Sequence, residues 1–166
     1  KDLVTINMGE PSFSPEKIGL SQESEIIGKS YPFSNELSRQ ITCVSMGNPH
    51  CIQFVDSIEN CPLETEGPLI ENHPLFKNRV NVEFIEILSK SEINMRVWER
   101  GTGETLACGS GACAAVTAAI QNSLTDRLVK VNLKGGVLSI HWDENDNCIY
   151  MTGPATFVFD STWEQQ

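Results

Sequence analysis

Short apolar stretches with strand-like patterns recur along the chain, separated by Gly, Pro, Asn and Asp residues that favour turns. Residues 92–99 alternate most clearly, with Ile93, Met95 and Val97 on one face and Trp98 on the other. β-Branched and aromatic residues likewise predict strands over residues 3–8, 40–46, 51–55, 80–88, 128–133, 137–142 and 148–152, and an extended run over residues 155–159.

Two segments favour helix instead. Residues 62–72 carry apolar side chains at helical spacing, and residues 109–122 form an alanine-rich run that we expect to end at Asn122. Residues 9–39 are rich in Pro, Ser, Gly and Glu. That composition predicts an irregular connection with one short helical turn near residues 15–19.

The order of these elements predicts the fold class. The strands outnumber the helices and do not alternate with them, as a βαβ pattern would require. We therefore expect an α+β domain in which a mostly antiparallel sheet curls around the central helix at 109–122. The 166 residues suffice for one sizeable domain, but a first residue Lys1 directly before a strand-like segment suggests that sequence precedes it.

Cys108 stands where the alanine-rich helix begins, after a strand that ends in Glu99 and Arg100 and a glycine-bearing turn. The first amides of a helix lack intrahelical partners and lie at the positive end of the macrodipole. A cysteine there can have a lowered pKa, and the glycines beside Cys108 let a ligand approach the backbone. We therefore predict a reactive thiol. The alternative, a small core residue, fits Cys113 better.

Composition narrows the possible partners. The net charge of −10 argues against nucleic acid and anionic membranes, and no apolar run approaches the roughly 20 residues of a membrane span. The six cysteines are sparse for a disulfide scaffold and lack Cys-x-x-Cys spacing, which argues against a structural zinc site. We expect reduced thiols in a cytoplasmic protein with no metal.

Four blocks, in order along most of the chain, carry a family resemblance. They are Gly-Asn-Pro-His (47–50), Arg-Val-Asn-Val-Glu-Phe (79–84), Trp-Glu-Arg-Gly (98–101) through Ala-Cys-Gly-Ser-Gly-Ala (107–112), and Thr-Gly-Pro-Ala (152–155). With them the chain resembles the diaminopimelate epimerases, cofactor-independent amino-acid racemases that use two cysteines.

The resemblance implies a two-domain protein of which this chain is the second domain. Residues 9–153 would form the C-terminal epimerase domain. Residues 1–8 would pair as a strand with the absent N-terminal domain, and residues 154–166 would cross back to it. That absent domain would supply the second catalytic cysteine, and a homodimer is possible, with Phe159 near its contact.

The resemblance also assigns roles in the chemistry. Cys108 would be the acid or base on one face of the substrate carbon, and Glu99 would position the reacting amino group and assist the thiol. His50 is similar to the family histidine near the other cysteine. The backbone of Gly109 and Ser110 would bind the reacting carboxylate at the helix start.

Three more residues would hold the far amino acid end of the substrate: Asn48, Asn81 and Arg100. A planar guanidinium such as that of Arg100 binds a carboxylate in two-pronged fashion. Without the resemblance, Asn48 would serve its turn, His50 would be a core or turn histidine, and Glu99 with Arg100 would be a surface ion pair. Asn81 interrupts an apolar strand and favours a function even alone. Three other acidic residues are interpreted as solvated charges: Glu83, Glu86 and Glu104.

The implied activity is interconversion of LL- and meso-diaminopimelate, for lysine and peptidoglycan precursor biosynthesis. Removing an α-proton and returning one to the opposite face requires two groups on opposite sides of the carbon, so the chain alone would be inactive. No cofactor is expected. Two alternatives stay open: a related racemase acting on histidine or proline, and a non-catalytic binding module with the same fold.

Overall fold

The chain is described from a computed structural model that covers residues 3–163. Within that range ten strands join in one sheet: β1 (Leu3–Asn7), β2 (Lys29–Pro32), β3 (Ser38–Ser45), β4 (Pro49–Phe54), β5 (Asn81–Ser89), β6 (Glu92–Glu99), β7 (Gly103–Thr105), β8 (Leu128–Leu133), β9 (Gly136–Trp142) and β10 (Ile149–Pro154). The helices there are α1 (Pro15–Ile18), α2 (Leu63–Glu71) and α3 (Gly109–Gln121).

The sheet confirms the predicted α+β class. Its order is β1-β10-β9-β8-β6-β5-β4-β3-β2, with β7 on β6. Two of the described pairings are parallel, β4 with β5 and β6 with β8, and the others are antiparallel. The mostly antiparallel prediction is therefore correct.

Helix α3 is the centre of the larger core. Its alanines from Ala112 to Ala119 are fully buried, and the helix contacts β3, β4, β5, β9 and β10. Small side chains let these strands approach the helix closely. The helix ends at Asn122, as predicted, where the side chain donates to the Ala118 carbonyl.

Strands β4 and β5 are buried on both faces. One face, with Ile52 and Ile85, packs on α3; the other, with Val82 and Phe84, lies in a second core with residues of α1 and α2. Because both faces are apolar, residues 80–88 do not show a simple alternation in the sequence.

The extended run predicted at 155–159 forms no strand within residues 3–163: β10 ends at Pro154, and Phe157, Val158 and Phe159 are 75%, 80% and 72% exposed. Its expected pairing with another domain stays a prediction. Two other local predictions differ from the structure. Strands β2 and β7 form in segments predicted to be irregular or a turn. Both are short, and β2 is a polar edge strand ending in proline, which weakens its sequence signal.

The two ends of the chain stay a matter of prediction. β1 pairs with β10 within this chain, from Leu3 opposite Pro154 to Asn7 opposite Tyr150, and all five of its residues are exposed. The expected pairing of residues 1–8 and 154–166 with another domain would use the exposed β1 strand and the exposed segment after Pro154, and it stays a prediction. Residues 1–2 and 164–166 lie outside the described range. No helix within residues 3–163 is long and apolar enough to cross a bilayer.

Candidate functional site

The predicted site residues gather at one end of the sheet. β4 and β5 are parallel and β6 runs against β5, so the first residues of β4 and β5 lie beside the last residues of β6. His50 pairs in register with Asn81, and Val82 with Trp98. Helix α3 begins at the same end, which brings Cys108 to it.

Cys108 is the residue that caps α3. Its backbone is extended, with φ −138° and ψ 109°, and its Sγ accepts a hydrogen bond from the Gly111 amide at 3.3 Å. The Ser110 hydroxyl lies 3.6 Å from the same sulfur. Gly109 and Ser110 are the first two helical residues. The thiol is therefore at the helix start predicted from the sequence, and the residue is 8% exposed.

The predicted lowering of the Cys108 pKa is wrong. Burial raises the pKa of this thiol to about 11, and the nearby carboxylates of Glu83 and Glu99 raise it further, against the lowering effect of the hydrogen bonds from Ser110 and Gly111. The free amides of the helix favour a thiolate, but desolvation and two negative charges outweigh them. In this chain the sulfur is a thiol at neutral pH.

A partly buried chain of hydrogen bonds connects His50 to the cysteine. His50 Nδ1 lies 2.6 Å from Glu83 Oε1, and His50 Nε2 lies 3.0 Å from Asn48 Oδ1. The Asn48 side-chain amide in turn donates to the Ser110 hydroxyl at 3.2 Å, beside the Cys108 sulfur. The structure thus brings together four of the predicted residues and one that was not predicted, Glu83.

The interpretation of Glu83 as a solvated charge is wrong. Its side chain and that of His50 are both 0% exposed. Burial raises the pKa of the Glu83 carboxyl, and the His50 partner opposes that rise. Period-2 alternation could have revealed it, because Asn81, Glu83 and Ile85 share one strand face, and Ile85 faces the core around α3.

Asn81 ties two of the motifs together. Its Nδ2 donates to the Pro49 carbonyl, and its Oδ1 accepts from the Arg100 amide, both at 2.9 Å. Asn81 is 5% exposed, and these two hydrogen bonds supply the partners that a buried side-chain amide needs. They fix the position of the turn before β4 relative to the end of β6.

Glu99 and Arg100 do not pair with each other among the described residues. Glu99 accepts a hydrogen bond from the Thr105 hydroxyl at 2.5 Å. Arg100 is exposed, and its guanidinium donates to the Asn78 carbonyl at 3.2 Å. The simple surface ion pair considered from the sequence is therefore not formed.

Glu71 is a further residue that sequence analysis missed. From α2 it accepts hydrogen bonds from the Gly101 amide and the Trp98 indole, both at 2.8 Å, and from Arg79 at 3.2 Å. It is 5% exposed. This carboxylate holds the turn that follows Arg100, and its position within α2 gives no sequence signal of that contact.

Glu104 is an ion-paired residue on β7, not a freely solvated one. Arg96 and Lys134 both contact its Oε1, at 2.7 Å each. The Arg96 hydrogen bond is the main cause that lowers the pKa of this carboxyl to about 2. Across residues 3–163, His, Cys, Asp and Glu form no group of three or more that could hold a metal ion.

Comparison with known proteins identifies the family. The model of the family described as diaminopimelate epimerase matches residues 42–158. The diaminopimelate epimerase of Acetivibrio thermocellus is 48% identical over 158 residues, which are 95% of this chain and 56% of that protein. The enzyme of Leptospira biflexa is 46% identical over 172 residues, 98% of this chain and 58% of that protein.

A solved structure shows the same fold. The hydroxyproline epimerase from Agrobacterium vitis, with bound trans-4-hydroxy-L-proline, matches 92% of this chain and 49% of that chain, with a TM-score of 0.59 and 11% identity. The chain spans little more than half the length of the curated relatives that it matches. On the evidence of the family model, this chain belongs to the diaminopimelate epimerase family.

Proposed function

We propose that this chain is the C-terminal half of a cytoplasmic, cofactor-independent epimerase that interconverts LL- and meso-diaminopimelate, a step in the synthesis of lysine and peptidoglycan precursors. The observation that supports this most directly is the Cys108 thiol at the start of α3, at the sheet end that carries His50 and Glu99. Family membership supports the substrate class.

The chemistry needs two proton-transfer groups on opposite faces of the α-carbon. Because the Cys108 pKa is raised to about 11, this residue suits the role of proton donor in the resting protein. Its S–H bond breaks as a C–H bond forms, while a thiolate on the opposite face takes the original α-proton. The reverse reaction exchanges the two roles.

The negative charge that develops on the substrate carboxylate would be stabilised by the helix start. The amides of Gly109 and Ser110 are the first of α3 and have no intrahelical acceptor. Donors fixed in this way require no rearrangement as the charge forms. Glu99, held by Thr105, would accept a hydrogen bond from the reacting amino group.

The far amino acid end of diaminopimelate would bind at Arg100, Asn48 and Asn81. The Arg100 guanidinium is exposed at the end of β6 and can bind a carboxylate in two-pronged fashion. Asn81 keeps one N–H and one lone pair beyond its two backbone contacts. This requirement for a second charged end favours diaminopimelate over histidine or proline as the substrate.

The second cysteine would lie in a segment of the full-length protein outside this chain. Support comes from the relatives, of whose length this chain covers 56% to 58%. His50 would lie next to that second sulfur. We therefore expect no appreciable epimerisation by the 166-residue chain alone. A homodimer remains a prediction.

The test measures α-proton exchange of LL-diaminopimelate in D2O by NMR, with the full-length protein and with this chain. We expect exchange only by the full-length protein, and its loss in Cys108→Ser. Cys113→Ser is the matched control, because Cys113 lies in the same helix and is buried. Exchange of proline or histidine but not diaminopimelate, or full exchange by this chain alone, would contradict the proposal.

A further inference from the structure

The Glu83–His50 pair is an ionisable pair in the interior of the described chain. Both side chains are 0% exposed, and Glu83 Oε1 lies 2.6 Å from His50 Nδ1. Burying an ionisable pair costs desolvation energy, so a buried carboxylate that serves only packing is uncommon. Glu83 Oε2 has no hydrogen-bond partner among the described residues, although it is buried.

The pair lies against the first turn of α3. Glu83 is two residues before Ile85 and His50 two before Ile52, and both isoleucines pack in the core around α3. A Cβ atom placed on Gly111 would lie 2.8 Å from Glu83 Oε1. The carboxylate therefore lies directly beside the helix start that carries the Cys108 sulfur.

The hydrogen-bond pattern allows two arrangements of protons. With Asn48 Oδ1 facing His50 Nε2, that nitrogen carries a proton and a second proton lies between Nδ1 and Glu83 Oε1. Rotation of the Asn48 amide by half a turn presents its NH2 group instead. The Ser110 hydroxyl accommodates this rotation, because it can donate as well as accept.

We propose that Glu83 is a positioning residue for the reaction proposed above: its carboxylate accepts the Nδ1 proton of His50, so that Nε2 faces the partly exposed Asn48 and can take a proton from the second cysteine. This inference rests on the proposed function. Glu83 itself touches no substrate. It acts through the imidazole that it orients and whose positive charge it balances.

The proton transfer balances in atoms and charge. The S–H bond of the second cysteine breaks, its electron pair stays on sulfur as a thiolate, and the proton forms an N–H bond at His50 Nε2. The Glu83–His50 pair changes from net charge −1 to 0. A buried imidazolium without a carboxylate partner would be strongly disfavoured, and Glu83 is the carboxylate in contact with the ring.

Other titratable groups surround the pair. Glu99 on β6 and Cys108 at the start of α3 interact electrostatically with Glu83, and so does Cys51 in β4. The pH dependence of activity therefore has to be assigned to His50 by a direct observation of its ring nitrogens.

The central variant is Glu83→Gln in the full-length protein, which keeps the size of the side chain and removes its charge. We expect kcat to fall about tenfold or more, as for loss of a general base, with little change in KM. The acid limb of the kcat/KM profile should move to lower pH, because the neutral amide no longer favours the imidazolium.

The direct readout is the ¹⁵N NMR signal of the His50 ring across a pH titration of the full-length protein. His73→Gln and His141→Gln variants assign the other two histidines of this chain. In the unmodified protein Nδ1 should stay protonated throughout, and in Glu83→Gln the ring should take up its second proton at lower pH.

Glu86→Gln is the matched control. It removes a carboxylate from the same strand, but that carboxylate accepts a hydrogen bond from Asn94 and does not contact His50. This variant should leave the acid limb of the kcat/KM profile and the His50 signals unchanged. A Glu83→Gln variant with an unmoved limb and unmoved His50 signals would overturn the inference, even if its activity fell. Absence of diaminopimelate turnover in the unmodified protein would instead reject the proposed function, while the NMR titration still decides whether Glu83 sets the protonation of His50.

Discussion

The Arg100 amide donates a hydrogen bond to the side-chain oxygen of Asn81 at 2.9 Å, across the junction of β5 and β6. The side-chain nitrogen of Asn81 also donates a hydrogen bond to the Pro49 carbonyl at 2.9 Å. One buried side-chain amide thus fixes the start of β4, next to His50, relative to the segment that carries the Arg100 guanidinium.

Replacement of Asn81 by alanine should therefore destabilise the chain. The change leaves the Arg100 N–H and the Pro49 carbonyl without their partner, and each buried group that loses its hydrogen bond costs about 1–3 kcal/mol. The measurement is the free energy of unfolding in urea.

Asn94→Ala serves as the comparison for Asn81→Ala. Asn94 is only partly buried, and its hydrogen bonds go to the side chains of Glu86 and Asn132 and not to the backbone. We expect a smaller loss of stability there. An Asn81→Ala protein as stable as the unmodified chain would show that Asn81 does not hold the two segments together.

Alkylation of Cys108 should be slow near neutral pH. Only the thiolate reacts with iodoacetamide, and burial together with Glu83 and Glu99 raises the pKa of this thiol to about 11. The rate for Cys108, followed by mass spectrometry of its peptide, should rise about tenfold per pH unit from pH 7 until the pH nears that pKa.

The Glu83→Gln variant tests the contribution of Glu83 to the raised pKa of the Cys108 thiol, which adds to the larger effect of burial. Removal of the nearby carboxylate should move the alkylation profile of Cys108 to lower pH, while the Cys148 peptide, from a more exposed residue, reports on the reagent in the same sample. A Cys108 rate that levels off below pH 8 in the unmodified chain would contradict the assignment.

The fold was largely predictable because its strongest signals are local. The alternation in β6 and the alanine run of α3 each indicate an element from neighbouring residues alone. The run at 155–159 has the same apolar composition as a strand, but a strand also requires a partner, and the sequence does not show that β1 and β10 stop pairing at Pro154.

The sequence indicates which candidate residues lie close together in the structure, but not their electrostatics. Cys108 is at the helix start that the sequence indicates, yet its pKa depends first on burial and then on the carboxylate of Glu83, which belongs to a separate strand. An isolated glutamate usually faces solvent, so the sequence favours an exposed Glu83. The two-residue spacing between Glu83 and Ile85 indicates that Glu83 faces the core, but apolar residues on both faces of β5 hide this alternation in the sequence.

Acid should reveal the contribution of Glu104 to stability. Hydrogen bonds from Arg96 lower the folded-state pKa of this carboxyl from 4.5 to about 2, so its contribution is fully present above pH 4.5 and is lost as the pH falls to about 2. In Glu104→Gln, the free energy of unfolding should fall less steeply across that range. The exposed Glu36→Gln should leave the slope unchanged, and an equal slope in Glu104→Gln would contradict the prediction.

The close approach of Gly111 to Glu83 has a consequence for how this domain can vary. A methyl group at position 111 would overlap the carboxylate, since the two would be 2.8 Å apart. Alanine at position 111 would require the Glu83 carboxylate to shift, and that carboxylate is the partner of the His50 imidazole. A substitution of Gly111 made to stabilise the helix start would therefore also displace, at a distance of one side chain, the carboxylate that contacts a buried histidine.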